Sequence, residues 1–136
     1  MEPVTDFVLD TVALVRHLED ELPAAADRAF RQAEGRKGRL FLPEIALAEF
    51  VDIALRGRLH APNPTAVVDE IVDLIRASEY LVLSSLPAAA WDVFLDLDVR
   101  ELHDRMIASD ALFRGLPLIT NDPDVAAVPG LRTVWR

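Results

Sequence analysis

Asp10, Glu49, Asp104 and Asp122 each interrupt an otherwise apolar stretch, where a purely structural protein has little reason to place a charge. Asp10 closes the run Phe7-Val8-Leu9, and Asp122 follows Leu116-Pro117-Leu118-Ile119-Thr120-Asn121, so both acids lie just past segments composed like buried strands. Glu49 and Asp104 fall inside helical patterns, on their apolar sides. Carboxylates gathered in one place repel one another and resist ionisation unless a divalent cation offsets the charge. Hard oxygen donors in a chain without cysteine favour Mg²⁺ or Mn²⁺ over zinc or copper. The chemistry these residue types point to is that of a hard-metal site.

Each acid also has a plainer reading. Asp10 is placed to cap a helix starting at Thr11, and Asp122 to cap one over residues 123–127, with Pro123 in the favoured first position. Capping and metal binding do not exclude each other. Glu49 lies between Ile45, Ala46 and Ile53 on a helix that is apolar on nearly every side, so the pattern expects it to be buried, with an ion pair to Arg56 as the alternative. Asp104 falls on the stripe of Ile107, Ala108, Ala111, Leu112 and Gly115; as a first-turn acid it would also complement the helix dipole. Asp110 points away from that stripe and is a reserve candidate. Asp124 is a weaker ligand candidate, and Thr120 and Asn121 are placed to orient Asp122 or a metal-bound water.

Other constellations carry less. The three histidines, at 17, 60 and 103, have no ligand or triad spacing, and His103 is set aside despite its neighbour Asp104. Leu95-Asp96-Leu97-Asp98-Val99 imitates the aspartate pair of haloacid-dehalogenase phosphatases, but too late in the chain and after a helical pattern. No glycine-rich phosphate loop and no nucleophile elbow is present.

Strands are expected over residues 4–10, 38–42, 80–83, 116–120 and 131–135, and helices over 11–21, 23–35, 43–56, 66–77, 87–94 and 101–114, with Thr65 as an N-cap. That alternation predicts an α/β fold with a mostly parallel sheet flanked by helices on both faces. Ligands in such sheets bind beyond the carboxyl ends of the strands, where Asp10 and Asp122 both fall. No repeat or linker divides the 136 residues, which are expected to form one domain over 1–136. The start of the chain lacks the pattern of a signal peptide and no apolar run is long enough to span a bilayer, so the expectation is a soluble cytoplasmic protein with no membrane partner. A net charge of −9 at pH 7 argues against broad adhesion to nucleic acid, although it leaves room for a local basic contact from the arginine-rich stretches at 28–39 and 56–58.

Val8-Leu9-Asp10-Thr11, Pro43-Glu44-Ile45-Ala46-Leu47-Ala48-Glu49, Leu102-His103-Asp104-Arg105-Met106-Ile107-Ala108 and Pro117-Leu118-Ile119-Thr120-Asn121-Asp122 together resemble PIN domains, most closely the VapC-like toxins of toxin–antitoxin pairs. The resemblance runs over essentially the whole chain in the correct order. It implies a Rossmann-like sheet and a metal-dependent endoribonuclease that hydrolyses RNA phosphodiesters with metal-activated water, Asp10, Glu49, Asp104 and Asp122 forming the acidic site on Mg²⁺ or Mn²⁺. Thr11 is implied as an auxiliary residue; Val12 departs from the serine or asparagine common after it. Lys37, Arg39 and Arg105 are expected phosphate contacts. A homodimer and a small cognate antitoxin covering the acidic groove are the implied partners. The rival expectation is a PIN-fold binding module with little intrinsic nuclease activity.

Overall fold

A computed structural model describes residues 5–136. Five strands, β1 (Phe7–Leu9), β2 (Leu40–Pro43), β3 (Leu81–Ser84), β4 (Leu118–Ile119) and β5 (Thr133–Val134), form one sheet in the order β3-β2-β1-β4-β5. Every neighbouring pair is parallel, with Phe7 opposite Leu40, Val8 opposite Leu118, Leu40 opposite Leu81 and Leu118 opposite Thr133. Helices α1 (Thr11–Leu18), α2 (Ala24–Glu34), α3 (Glu44–Leu55), α4 (Pro64–Ala77), α5 (Trp91–Asp96), α6 (Leu102–Arg114) and α7 (Pro123–Ala126) fill the connections. Phe7, Val8 and Leu9 are all buried although successive strand residues face opposite sides, so both faces of the central strand are covered. The mostly parallel α/β architecture expected from the alternating pattern is what forms.

Strand order decides where a site can be built. The chain winds outward from β1 through β2 to β3, then returns to place β4 on the other side of β1. Loops leaving β1 and β4 therefore diverge, and the crevice between them opens at the carboxyl ends of these strands. Asp10 follows β1 directly and Asp122 follows β4 after Thr120 and Asn121, on either side of that switch point.

Several boundaries move for identifiable reasons. Val4 lies outside the described residues. The first helix stops at Leu18 because Asp20 adopts a left-handed φ of 57° and the Glu21 amide returns to the Arg16 carbonyl. Asn63, not Thr65, caps α4, accepting the Ala66 amide at 3.2 Å, with Pro64 in the first turn. The segment after Pro87 begins as a short 3₁₀ turn, Ala88–Ala90, before α5 runs on to Asp96. Glu101 caps α6 rather than starting it. Helix α3 buries only Ala46, Phe50 and Ala54, while Leu55 at its end is 72% exposed; a helix apolar on nearly every side did not become an all-buried one. Gly38 is needed where β2 begins, since a side chain there would overlap the Thr5 carbonyl. Among the described residues, no helix is long and apolar enough to cross a membrane.

Candidate functional site

Asp10 leaves β1 in extended conformation and turns directly into α1, its Oδ1 accepting the Ala13 amide at 2.9 Å. Because it stands between two covered strands it is only 6% exposed. Buried Thr120, the residue after β4, donates its hydroxyl to the Asp10 carboxylate and accepts the Asp122 amide at 3.1 Å. Asp122 then caps α7, its Oδ1 accepting the amides of Asp124 at 2.8 Å and Val125 at 3.3 Å. Both aspartates thus cap helices and are still drawn together through one threonine.

Two further acids reach this pair from different helices. Asp104 lies in the first turn of α6, and its carboxyl is hydrogen-bonded to that of Asp122. Glu49, midway along α3, repels Asp10 but is less deeply set than its apolar neighbours led one to expect, with 35% of its side chain exposed. The alternative of a pair with Arg56 does not form, because Arg56 binds Asp52 at 2.9 Å. Asp10, Thr11, Glu49, Asp104, Asn121 and Asp122 together border a cavity of about 130 Å³ at the strand ends.

The electrostatics follow from that convergence. Burial pushes the Asp10 carboxyl up to about 6, against the stabilising hydrogen bonds from Thr120 and Ala13 and with added repulsion from Asp122 and Glu49. Asp104 is raised to about 7 by burial, by its hydrogen bond to Asp122 and by repulsion from Asp122, Glu101 and Asp10. Two carboxyls this close repel each other once both are ionised, and protonation of one is a way to relieve that repulsion. A divalent cation would supply the same relief with hard-oxygen donors of the kind it prefers. Thr11 adds a second sign of an absent partner: its Oγ1 is buried at the cavity without any hydrogen bond. Among the described residues, no three acidic or histidine side chains are yet gathered closely enough to hold a metal ion. The donor chemistry fits a cation, whose charge would favour the ionised forms of Asp10 and Asp104.

Other expected participants fall elsewhere. Asp124 is exposed and borders an adjoining cavity with Asp104, lending Asp122 its amide rather than its carboxylate. Asp110 is not a surface acid turned from the stripe: it is 2% exposed, accepting Ser84 Oγ at 3.1 Å and Arg114 Nε at 2.8 Å, outside the acidic cavity. Lys37 and Arg39 precede β2, whereas the acids follow β1 and β4. With Leu40 opposite Phe7, Arg39 and Asp10 are offset by four strand positions, roughly 13 Å. Arg39 binds Asp6 at 3.2 Å and borders a separate cavity with Glu34, Arg36 and Tyr80. Arg105 gives its guanidinium to the carbonyls of Phe94 at 2.7 Å and Leu95 at 3.1 Å, tying α6 to α5. None of these three borders the acidic cavity.

Sequence reading passed over the rim formed by Glu101 and His103. Glu101 Oε2 accepts the Asp104 amide at 2.7 Å and its Oε1 lies 2.6 Å from His103 Nδ1, which is 3.8 Å from Glu49 Oε2. Glutamate is an uncommon cap, so nothing in the local pattern marked it as the residue that presents Asp104.

Comparison with known proteins agrees with this architecture. The chain matches the family profile described as PIN domain over residues 7–131. Among solved structures it is similar to VapBC2 from Rickettsia felis bound to a DNA fragment from its promoter, with 16% identity, TM-score 0.72 and coverage of 95% of this chain and 97% of that one. It is also similar to PAE2754 from Pyrobaculum aerophilum, with 16% identity, TM-score 0.60 and coverage of 96% and 84%. A third similar structure is the sarcin-ricin loop cleaving toxin VapC20 from Mycobacterium tuberculosis, with 17% identity, TM-score 0.56 and coverage of 93% and 98%. No curated protein matches. With its switch-point aspartates, its parallel sheet and a profile match over nearly its whole length, the chain belongs to the PIN domain family.

Proposed function

We propose that this protein is a Mg²⁺- or Mn²⁺-dependent endoribonuclease and the toxin of a toxin–antitoxin pair. The observation that carries this reading is the convergence of Asp10, Glu49, Asp104 and Asp122 on one cavity at the switch point, where burial and mutual repulsion raise the carboxyls of Asp10 and Asp104. Asp10 and Asp104 are the first choice for direct ligands, with Glu49 and Asp122 completing the set. When bound, the cation supplies an activated water and offsets charge on the phosphoryl oxygens of the substrate. Thr120 holds Asp10 and Asp122 at their separation, and Thr11 borders the cavity with a buried hydroxyl that has no hydrogen-bond partner. The similarity to the sarcin-ricin loop cleaving toxin VapC20 supports RNA as substrate, and the similarity to VapBC2 supports a partner protein, here read as a small antitoxin, with action in the cytoplasm part of the same reading. A homodimer is part of the same reading.

Incubation of a single-stranded RNA with the protein and millimolar Mn²⁺ tests it. Cleavage that EDTA stops, and that Asp10→Asn and Asp104→Asn abolish while leaving the fold intact, is the expected result; cleavage surviving both substitutions contradicts the mechanism. The second reading is a PIN-fold binding module acting through protein contacts; it goes with the looser spacing of the acids, no three of which, among the described residues, are grouped closely enough to hold a metal ion. That module would bind its partner and leave RNA intact at every metal concentration. A parallel DNA substrate separates ribonuclease from deoxyribonuclease.

A further inference from the structure

We infer that Arg100 contacts a substrate phosphate, and that the RNA strand leaves the acidic cavity across the depression that Arg100 and Asp104 line together. This rests on the ribonuclease reading and adds the path and anchor of the strand. The acidic cavity, about 130 Å³, has room for an ion and water but little for a nucleotide. The depression beside it, about 490 Å³, shares Asp104 and is several times larger. Arg100 is held at its edge by its neighbours: Val99 is 4% exposed and anchors the loop, while Glu101 caps α6.

The guanidinium itself is uncommitted. Among the described residues Arg100 makes no ion pair or hydrogen bond, although Asp98, Glu101 and Asp124 border the same depression. Glu101 has both oxygens engaged, by the Asp104 amide and by His103. Arg16, Arg31, Arg39, Arg56 and Arg114, by contrast, are each paired with a carboxylate. Arg100 is the arginine bordering Asp104, and a free guanidinium offers the forked donor pair that a phosphate accepts. Asp98 and Asp124 oppose an anion there, and a divalent cation held by the neighbouring Asp104 would offset part of that repulsion.

Binding of a labelled single-stranded RNA with hydrolysis-resistant linkages to protein with all four acids intact, followed by fluorescence anisotropy in Mg²⁺, tests the inference. Adding Arg100→Ala is expected to weaken affinity about tenfold and to reduce the slope of log K against log salt by about one. Arg100→Lys should recover part of the loss, and Arg76→Ala, on the exposed end of α4, should leave affinity unchanged. In the cutting enzyme, Arg100→Ala should raise KM more than it lowers kcat. Unchanged affinity and slope in Arg100→Ala overturn the inference, as does an equal loss in Arg76→Ala, which would mean diffuse attraction. If wild-type protein binds RNA through Arg100 but never cuts it, the strand path stands and the ribonuclease reading falls. If it cuts RNA with KM indifferent to Arg100, the reverse holds.

Discussion

The Thr120 hydroxyl donates to the carboxylate of Asp10, so a residue leaving β4 sets the acid leaving β1. The same oxygen accepts the Asp122 amide at 3.1 Å, which makes Thr120 the hinge pin of the switch point. Thr120→Val keeps the shape and removes both bonds in a buried place. We expect a loss of about 1–3 kcal/mol, read as a lower midpoint in urea unfolding, because a buried amide and carboxylate are left unpaired. The Asp10 carboxyl should rise further, since the lost bond is one that lowers it.

Metal-free protein should lose stability as pH rises from about 4 to about 7. Asp10 and Asp104 have folded-state values raised to about 6 and about 7 from an ordinary 3.8, so between those limits the folded chain binds more protons than the unfolded one. Stability from these groups is fully present below the ordinary value and is lost as pH climbs through the folded values. Unfolding in EDTA across that range checks the sign. Asp10→Asn, which preserves a capping side chain, should flatten the fall and leave the metal-free protein more stable than wild type above about pH 7.

Much of this site was legible in the residues because the acids at strand ends are local features. A short apolar run ending in Asp10, and another ending before Asp122, state their own position once the sheet is parallel. Glu49 was only half legible. Its helix is apolar all round, and which flank meets the core is decided by α1, α4, α6 and β2 packing against it, not by its own pattern. The position of Arg39 was not legible for a different reason: it precedes a strand while Asp10 and Asp122 follow strands, and charge alone does not say at which end of a sheet a residue lies. Asp110 was hidden because α6 is covered on more than one side, by β1 and by the 3₁₀ turn before α5, so an off-stripe position can still be buried.

Asp110 should prove structural. Asp110→Ala leaves Ser84 Oγ without its acceptor and Arg114 without its partner, so a destabilisation of about 2–4 kcal/mol is expected, reduced from a fully buried pair because Arg114 is partly exposed. Cation-induced stabilisation should persist in this variant; its loss would place Asp110 in the site after all.

Arg105→Ala should behave like a packing defect. It removes two bonds to the carbonyls of Phe94 and Leu95 and a guanidinium lying 4.8 Å over the Phe94 ring. About 1–2 kcal/mol of stability should go, with the salt dependence of RNA binding unchanged. A smaller salt slope would instead restore Arg105 as a phosphate contact.

That Asp10, Glu49, Asp104 and Asp122 form a cation site is tested most directly by thermal unfolding at pH 8 with increasing Mn²⁺. A ligand bound only by the folded state raises the midpoint in proportion to the logarithm of its excess over Kd. The expected result is a saturably occupied site, with the midpoint of the wild type rising steadily through the millimolar range and that of Asp10→Asn/Asp104→Asn staying flat. A wild-type midpoint indifferent to Mn²⁺, or an equal rise in the double variant, would contradict it.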